Sequence, residues 1–197
     1  MTDDFLGREV YFQKGQKWLV VEKLDDTIYA IHTMFSFGLT AWPGYEFSAW
    51  YDEDFCFRNI SDYTSSGNAK STYDNMSYAE ADHGRDSSGK YDTTSTEKDG
   101  LYLVPVTYYT DKLPGLDGYY TSQLYQKAAY TSMGANGSWT GSHDSMQYYA
   151  TVITTDNFGN KKTDRAIQYS TDFSLVCVFN LDTSKVNIAE NGAITAK

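Results

Sequence analysis

Three aspartates in a loop rich in glycine and serine are the best candidate metal ligands in this sequence. Asp82, Asp86 and Asp92 lie in one short stretch, and Asp99-Gly100 closes it. Calcium takes roughly six to eight oxygen ligands from carboxylates, carbonyls and water, which such a loop could supply. The spacing does not match an EF-hand loop, which needs a glycine at its sixth position and a glutamate at its twelfth. The pattern therefore leaves two alternatives, a calcium site and a solvated acidic loop.

The histidines do not have the spacing of a zinc site. His32, His83 and His143 are single residues without a His-x-x-x-His or Cys-x-x-Cys partner. His32 stands at the end of a predicted strand and is interpreted as structural, whereas His83 and His143 lie in polar segments and are interpreted as solvated. The sequence therefore predicts no cofactor other than the calcium considered above.

Catalytic arrangements have little support in the residue order. Ser142-His143-Asp144 are adjacent, but a catalytic triad needs side chains that converge from different elements. There is no Gly-x-Ser-x-Gly elbow and no glycine-rich phosphate loop. Asp52, Glu53 and Asp54 form the acid cluster that lies among aromatic residues, and a pair of carboxylates can hydrolyse a glycosidic bond. A glycan-acting enzyme that uses Asp and Glu carboxylates is therefore the alternative to a protein without catalytic activity.

Length and charge limit the organisation of the chain and its partners. The 197 residues are expected to form a single domain, residues 1–197. With 26 acidic and 16 basic residues the net charge is −10. Nucleic acids and anionic membranes are bound through Lys and Arg, so neither is a predicted partner. The N-terminus has no signal-peptide pattern, so we expect a protein made in the cytoplasm that leaves it, if at all, by cell lysis.

The two cysteines are each flanked by hydrophobic residues. Cys56 lies between phenylalanines and Cys177 between valines. This setting is typical of buried, reduced thiols. A disulfide between them is the alternative, since two cysteines do not define a framework.

Hydrophobic patterning in the first half predicts a β-rich α+β fold with two short helices and long loops. Strands are predicted at 9–12, 17–23 and 27–33. Apolar residues at helical spacing predict the first short helix near 47–55. Residues 64–100 have few large aliphatic side chains, so we interpret them as a long loop excursion from the core.

The middle of the chain carries a second strand and helix signal. A strand is predicted over 101–109, where Pro105 indicates an edge or a bulge. The second helix is predicted over 117–133, with Gly134 at its C-terminal cap.

The C-terminal third gives the clearest signals. A hairpin is predicted from strands 148–155 and 161–169 around a turn at 156–160. Residues 174–181 are predicted as a continuous strand buried on both faces, paired with the first strands at 10–21. The predicted core residues are Trp18, Trp50 and Val178.

Four motifs occur in order along the chain. They are Gly7 with Trp18-Leu19-Val20, then Trp42 with Ser48, Trp50 and Phe55, then Ser138-Trp139-Thr140-Gly141, and finally Val176-Cys177-Val178-Phe179. This series resembles the C-type-lectin-like fold, in which the terminal strands pair and two helices flank a twisted antiparallel sheet. More narrowly, it is similar to an uncharacterised branch of that fold in Firmicute and phage proteins. An arginine after the late tryptophan and an Arg-Pro in the final strand are usual in that branch and absent here.

The resemblance implies a non-enzymatic binding or structural module. Such a protein would belong to a phage virion, as a tail, fibre or capsid-decoration protein, or to a bacterial surface. Its partners would be other virion or surface-assembly proteins, or a host glycan for receptor binding, and it would be a homo-oligomer or part of a larger assembly. The catalytic relatives of the fold, the formylglycine-generating enzymes, use a cysteine pair that Cys56 and Cys177 do not reproduce, so no catalytic residue is carried over.

Two segments contribute least to the predicted core and are therefore the predicted partner surface. Residues 64–98 and 134–144 combine rigid aromatic side chains with small polar residues that form hydrogen bonds adaptably. The predicted partner-binding residues are Tyr73, Tyr78, Tyr91, Asn136, Trp139 and His143. For Trp139, a place in the core is an equal alternative.

Overall fold

The computed structural model of the chain describes residues 4–12, 16–42, 46–47, 101–110, 118–143 and 149–197. These residues form a β-rich α+β structure. Its strands are β1 (Glu9–Tyr11), β2 (Lys17–Lys23), β3 (Ile28–Thr33), β4 (Leu39–Thr40), β5 (Glu46–Phe47), β6 (Leu101–Tyr102), β7 (Ser138–His143), β8 (Tyr149–Thr155), β9 (Lys161–Ile167), β10 (Phe173–Ser174), β11 (Val178–Asp182), β12 (Val186–Ile188) and β13 (Ile194–Ala196). Its helical elements are a 3-10 helix at Val106–Tyr109 and the α-helix α1 (Gly118–Ser132).

The first sheet is antiparallel and has the strand order β1-β2-β3-β11-β6-β5. In β2, Trp18 and Val20 face the core between the two large sheets, whereas Leu19 and Val21 face the helix. Successive side chains of a strand point to opposite faces, so this unbroken apolar run belongs to a strand covered on both sides. The predictions of strands at 9–12, 17–23 and 27–33 are confirmed as β1, β2 and β3.

The second sheet has the order β4-β10-β7-β8-β9, with a parallel pair between β10 and β7. Trp139 and Val152 on its inner face share a core with Trp18 and Phe179 of the first sheet. The predicted hairpin is confirmed as β8 and β9, and Gly159 has a φ of 83° in the turn between them.

Helix α1 covers the other face of the first sheet. Its Tyr125 and Ala128 share a buried cluster with Leu19 of β2. The prediction of a helix over 117–133 is confirmed. Beyond its end, the backbone N–H of Gly134 donates to the hydroxyl of Ser174 at 2.7 Å, which joins the helix terminus to the second sheet.

The apolar segment 174–181 does not form one strand, and its predicted pairing with 10–21 is wrong. Strand β10 ends in the second sheet, while β11 lies in the first sheet between β3 and β6. Between them the chain crosses from one sheet to the other. The N–H of Leu175 donates to the Gly38 carbonyl at 3.0 Å, and the N–H of Thr33 donates to the Cys177 carbonyl at 2.9 Å. An apolar run predicts burial, but it does not specify which strands will pair with it.

Residues 101–109 contain less strand than predicted. Strand β6 has two residues, and the 3-10 helix follows. Pro105 has a φ of −55° and no N–H, which suits the start of a turn, and its carbonyl accepts the N–H of Tyr108 at 3.0 Å.

The terminal hairpin, β12 and β13, was not predicted from the sequence. The carbonyl of Gly192 in its turn region accepts the N–H of Tyr11 in β1 at 3.0 Å. The first strand therefore contacts a C-terminal segment, but a later one than predicted.

Gly137, directly before β7, is a position where we expect any side chain to destabilise the fold. Its φ is 112°, and a Cβ there would collide with the carbonyl oxygen of Ile153. Gly137→Ala should lower the free energy of unfolding, measured by urea denaturation, by more than about 2 kcal/mol through strain and collision together. Gly38→Ala is the control, because Gly38 has a φ of 105° but nothing within 4 Å of its Cβ position. Equal losses in the two variants would contradict the close approach at Gly137.

Candidate functional site

Most residues predicted to bind a partner or a metal lie outside the described residues. These are Tyr73, Tyr78 and Tyr91, the aspartates Asp82, Asp86 and Asp92, the acid cluster 52–54, and also Trp50, Cys56 and His83. The helix predicted near 47–55 also lies there, except that Phe47 ends strand β5. Of the other predicted site residues, Asn136 is exposed in the turn before β7, Trp139 lies within β7 and His143 is its last residue.

Trp139 is a core residue. Its side chain is fully buried, and its ring lies against that of Phe173, with centroids 4.9 Å apart. The indole N–H donates to the carbonyl of Thr40 at 2.7 Å. Trp139 therefore offers no surface to a partner, and the alternative that placed it in the core is the one that the structure supports.

The glycine-rich passage 134–144, predicted as a recognition loop, contains strand β7 instead. Glycine is required at position 141 because a Cβ there would collide with the carbonyl oxygen of Leu103. The backbones approach closely at this point, and the N–H of Gly141 donates to the Val104 carbonyl at 2.6 Å. A glycine within a strand can mark close packing of two backbones rather than a loop.

A buried polar cluster of Glu22, His32, Tyr109 and Tyr125 lies between α1 and the first sheet. The hydroxyl of Tyr109 donates to Nε2 of His32 at 2.9 Å, and Nδ1–H of His32 donates to the Thr33 carbonyl at 2.8 Å. The hydroxyl of Tyr125 donates to Oε2 of Glu22 at 3.2 Å, and its ring meets that of His32 edge-on. These hydrogen bonds offset the cost of burying polar side chains.

Burial shifts the pKa values of this region. Desolvation lowers the pKa of His32 to about 4, so the imidazole is neutral at neutral pH. Burial raises the pKa of Tyr109 and that of the Cys177 thiol, which is free. All three side chains are buried and do not face a solute: His32 and Tyr109 lie between α1 and the first sheet, and Cys177 lies in the core between the two large sheets.

A polar groove of about 350 Å³ opens on the second sheet. It is lined by Asn136, Val152, Thr154, Asp164, Arg165, Asp172 and Phe173. Asp164 of β9 pairs with Val152 of β8, so these two residues lie side by side on the sheet. The volume is within the range of small-ligand sites, roughly 300–1,000 Å³. Among the predicted site residues that the structure describes, Asn136 alone reaches this groove.

The carboxylates of the groove accept hydrogen bonds. The backbone N–H of Arg165 donates to Oδ1 of Asp164 at 2.8 Å, and Lys162 donates to Oδ2 at 3.3 Å. The backbone hydrogen bond from Arg165, and then the contact with Lys162, lower the pKa of Asp164. A general acid needs a raised pKa instead. Oδ2 of Asp172 accepts the Ser170 hydroxyl at 3.0 Å. Within the described residues no group of three His, Cys, Asp or Glu side chains could hold a metal ion.

The hairpin of β8 and β9 presents an aromatic side chain on a well-defined turn. Phe158 at its tip is 90% exposed. The carboxylate of Asp156 accepts the N–H of Phe158 at 2.8 Å and that of Asn160 at 2.9 Å, and these bonds lower the pKa of Asp156. Gly159 allows the chain to reverse with a positive φ. The two strands pair residue by residue from Tyr149 to Thr155, so the turn is held in a fixed position.

Exposed hydrophobic side chains concentrate around this hairpin. In the part of the chain that the structure describes, the large ones are Leu39, Tyr120, Tyr149, Phe158, Ile167 and Tyr169. Four of these six lie within residues 149–169, which we call the hairpin surface. The guanidinium of Arg165 lies 4.7 Å from the ring centroid of Tyr149. Tyrosine and arginine are enriched among the residues that dominate binding at protein interfaces, so this surface has the composition of an interface.

This hairpin was predicted from the sequence, but its exposed surface was not. A signal was present, since Phe158 is a large apolar residue among polar residues in a tight turn, and connecting segments run over the protein surface. The groove had no such signal. Its lining comes from four separate segments, around 136, 152, 164 and 172, which only the fold brings together.

In the described segments, no helix has the length and apolar character needed to cross a membrane. No family model, curated protein or solved structure matches the chain.

Proposed function

We propose that this protein is a non-enzymatic binding or structural module. It acts in a phage virion, as a tail, fibre or capsid-decoration protein, or on a bacterial surface, and it leaves the cell by lysis. Its partner is a protein neighbour in that assembly or a surface glycan. The observation that carries this proposal is the hairpin surface, which holds Phe158 90% exposed on a preorganised turn. Preorganisation favours binding because little conformational entropy is lost on contact.

The distribution of titratable groups supports binding rather than catalysis. Catalytic sites place side chains with shifted pKa values in accessible clefts. Here the pKa of His32 is shifted by enclosure in the core, and the accessible carboxyl Asp164 is shifted towards its ionised form. An ionised carboxylate beside the Asn136 amide suits hydrogen bonding to a partner or a glycan hydroxyl.

The alternative, a glycan-acting enzyme, needs a carboxylic acid whose pKa is raised by an apolar setting. The acid cluster 52–54 is its candidate on the sequence. Hydrolysis of a bacterial surface polysaccharide by the purified chain, lost in Asp52→Asn or Glu53→Gln, would establish that alternative.

We also propose that the fold is C-type-lectin-like. The motif Trp18-Leu19-Val20 lies in β2, an interior strand of the first sheet, and the late Trp139 motif lies at the start of β7. A helix packs against the sheet that contains β2, which also supports the proposal. An experimental structure superposed on members of that fold tests it, and a different strand order through β2, β3 and β11 would contradict it.

Fractionation of a lysed culture of the producing organism tests the function. We expect the chain to sediment with assembled particles or with the cell envelope, at a fixed ratio to another protein of that assembly, because a structural module stays bound to its neighbour. Quantitative mass spectrometry of density-gradient fractions gives this ratio. A chain that stays at the top of the gradient and degrades polysaccharide contradicts the proposal.

A further inference from the structure

Strand β9 carries a charge opposite to that of the whole chain. It has Lys161, Lys162 and Arg165 against Asp164, which leaves two positive charges, whereas the chain carries −10. Lys161 and Arg165 are held over the rings of Tyr130 and Tyr149, at 3.6 and 4.7 Å from the centroids. A positioned cationic strand on an acidic protein is complementary to an acidic partner surface.

Among the described strands, β9 also lies at an edge with no further strand paired to it. It is the last strand in the order β4-β10-β7-β8-β9, and all of its residues except Ala166 are exposed. An open edge is a place where another chain can bind, and lysines on it oppose uncontrolled strand pairing. Lys161 and Lys162 would repel the same strand of another copy, so contact must involve a different surface of that copy.

We infer that the hairpin surface binds a second copy of this chain. Phe158 is the apolar anchor of the contact, and Lys161 and Arg165, which lie on one face of β9, face the acidic surface of the neighbouring copy. Because the two contacting surfaces differ, the contact is heterologous, and such contacts build rings or filaments. The inference rests on the proposed binding function and names the surface and the partner.

Sedimentation velocity of the purified full chain tests this inference. Oligomers should form at about 50 mM salt, increase with protein concentration and dissociate at about 500 mM salt, because salt screens the charge contribution. Phe158→Ser should weaken the association at least about tenfold, since an exposed aromatic anchor is lost. Lys161→Glu should weaken it at low salt and have little effect at high salt, because Lys161 forms no ion pair within the described residues, whereas Lys162 is paired with Asp164.

Two matched variants separate this surface from general effects. Leu39→Ser removes another exposed hydrophobic side chain, which is 61% exposed in β4, outside the hairpin surface. Lys127→Glu makes the same charge change as Lys161→Glu at an exposed position of α1. Both should associate like the wild type, and circular dichroism checks that every variant is folded. A chain that is monomeric at about 100 μM in low salt, or one that Phe158→Ser and Leu39→Ser affect equally, overturns the inference.

The failure of this inference can be told apart from failure of the proposed function. A chain that is monomeric in solution but sediments with particles in the fractionation experiment has a partner other than itself, so only the self-association is wrong. A chain that neither self-associates nor sediments with any particle would contradict both the self-association and the proposed function.

Discussion

Trp139→Ala should lower the free energy of unfolding by about 3–5 kcal/mol, because it removes a large buried side chain and leaves a cavity. The ring is fully buried between the two large sheets and lies against Phe173. Its N–H also bonds the Thr40 carbonyl, so the substitution leaves that acceptor without its donor. Urea denaturation followed by circular dichroism measures the change.

Two further variants divide this effect into its parts. Trp139→Phe keeps much of the ring volume and removes the N–H, so a loss of about 1–2 kcal/mol is expected. Tyr169→Ala removes an aromatic side chain that is 75% exposed, and it should change stability by less than about 0.5 kcal/mol. If Trp139→Ala unfolds like the wild type and loses only a partner, Trp139 is a binding residue and its assignment to the core is wrong.

Acidification should destabilise the protein through His32. The pKa of His32 is about 4 in the folded protein, below the value of about 6.5 for an unfolded chain. Between these two values the unfolded state binds more protons, so stability falls as the pH falls through this range. Above pH of about 6.5 the ring is neutral in both states and contributes no penalty. At pH of about 4.5 the penalty from this one residue should be about 2.5 kcal/mol.

His32→Gln separates this penalty from the titration of carboxylates elsewhere. The variant is expected to be less stable at neutral pH, because it perturbs the bonds to Tyr109 and Thr33. Its loss of stability between neutral pH and about pH 4.5 should nevertheless be smaller than that of the wild type by about 2.5 kcal/mol. Urea denaturation at both pH values measures the difference. Parallel pH profiles for the two proteins would falsify the assignment to His32.

Local patterns in the sequence predicted elements well wherever one short segment carried the whole signal. The hairpin of β8 and β9 follows from two runs of strand-forming residues around a turn that contains Gly159. Helix α1 was predicted within a residue at each end. Strand β2 was predicted because its residues favour strands and turn signals at 14–15 and 25–26 lie on either side of it.

Local patterns gave wrong predictions where the structure of a segment depends on the backbone that lies beside it. Residues 174–181 were predicted as one strand because they are uniformly apolar, but the backbone crosses between sheets at 175–177. The passage 134–144 was predicted as a loop because of its glycines, although Gly141 is required where β7 passes the backbone of Leu103. Both cases depend on which backbone lies alongside, and residue types do not specify this neighbour.

The sequence by itself determined the acidic net charge, which follows from composition alone. It also determined the β-rich character, the hairpin and the helix, because these depend on residues close together in the chain. Only the tertiary structure decided that Trp139 is a core residue and that His32 bonds Tyr109. It also decided that Asn136 lines a groove with Asp164 and Asp172. Strand order and burial depend on contacts between distant segments, and the free energy of those contacts depends on packing that no local pattern encodes.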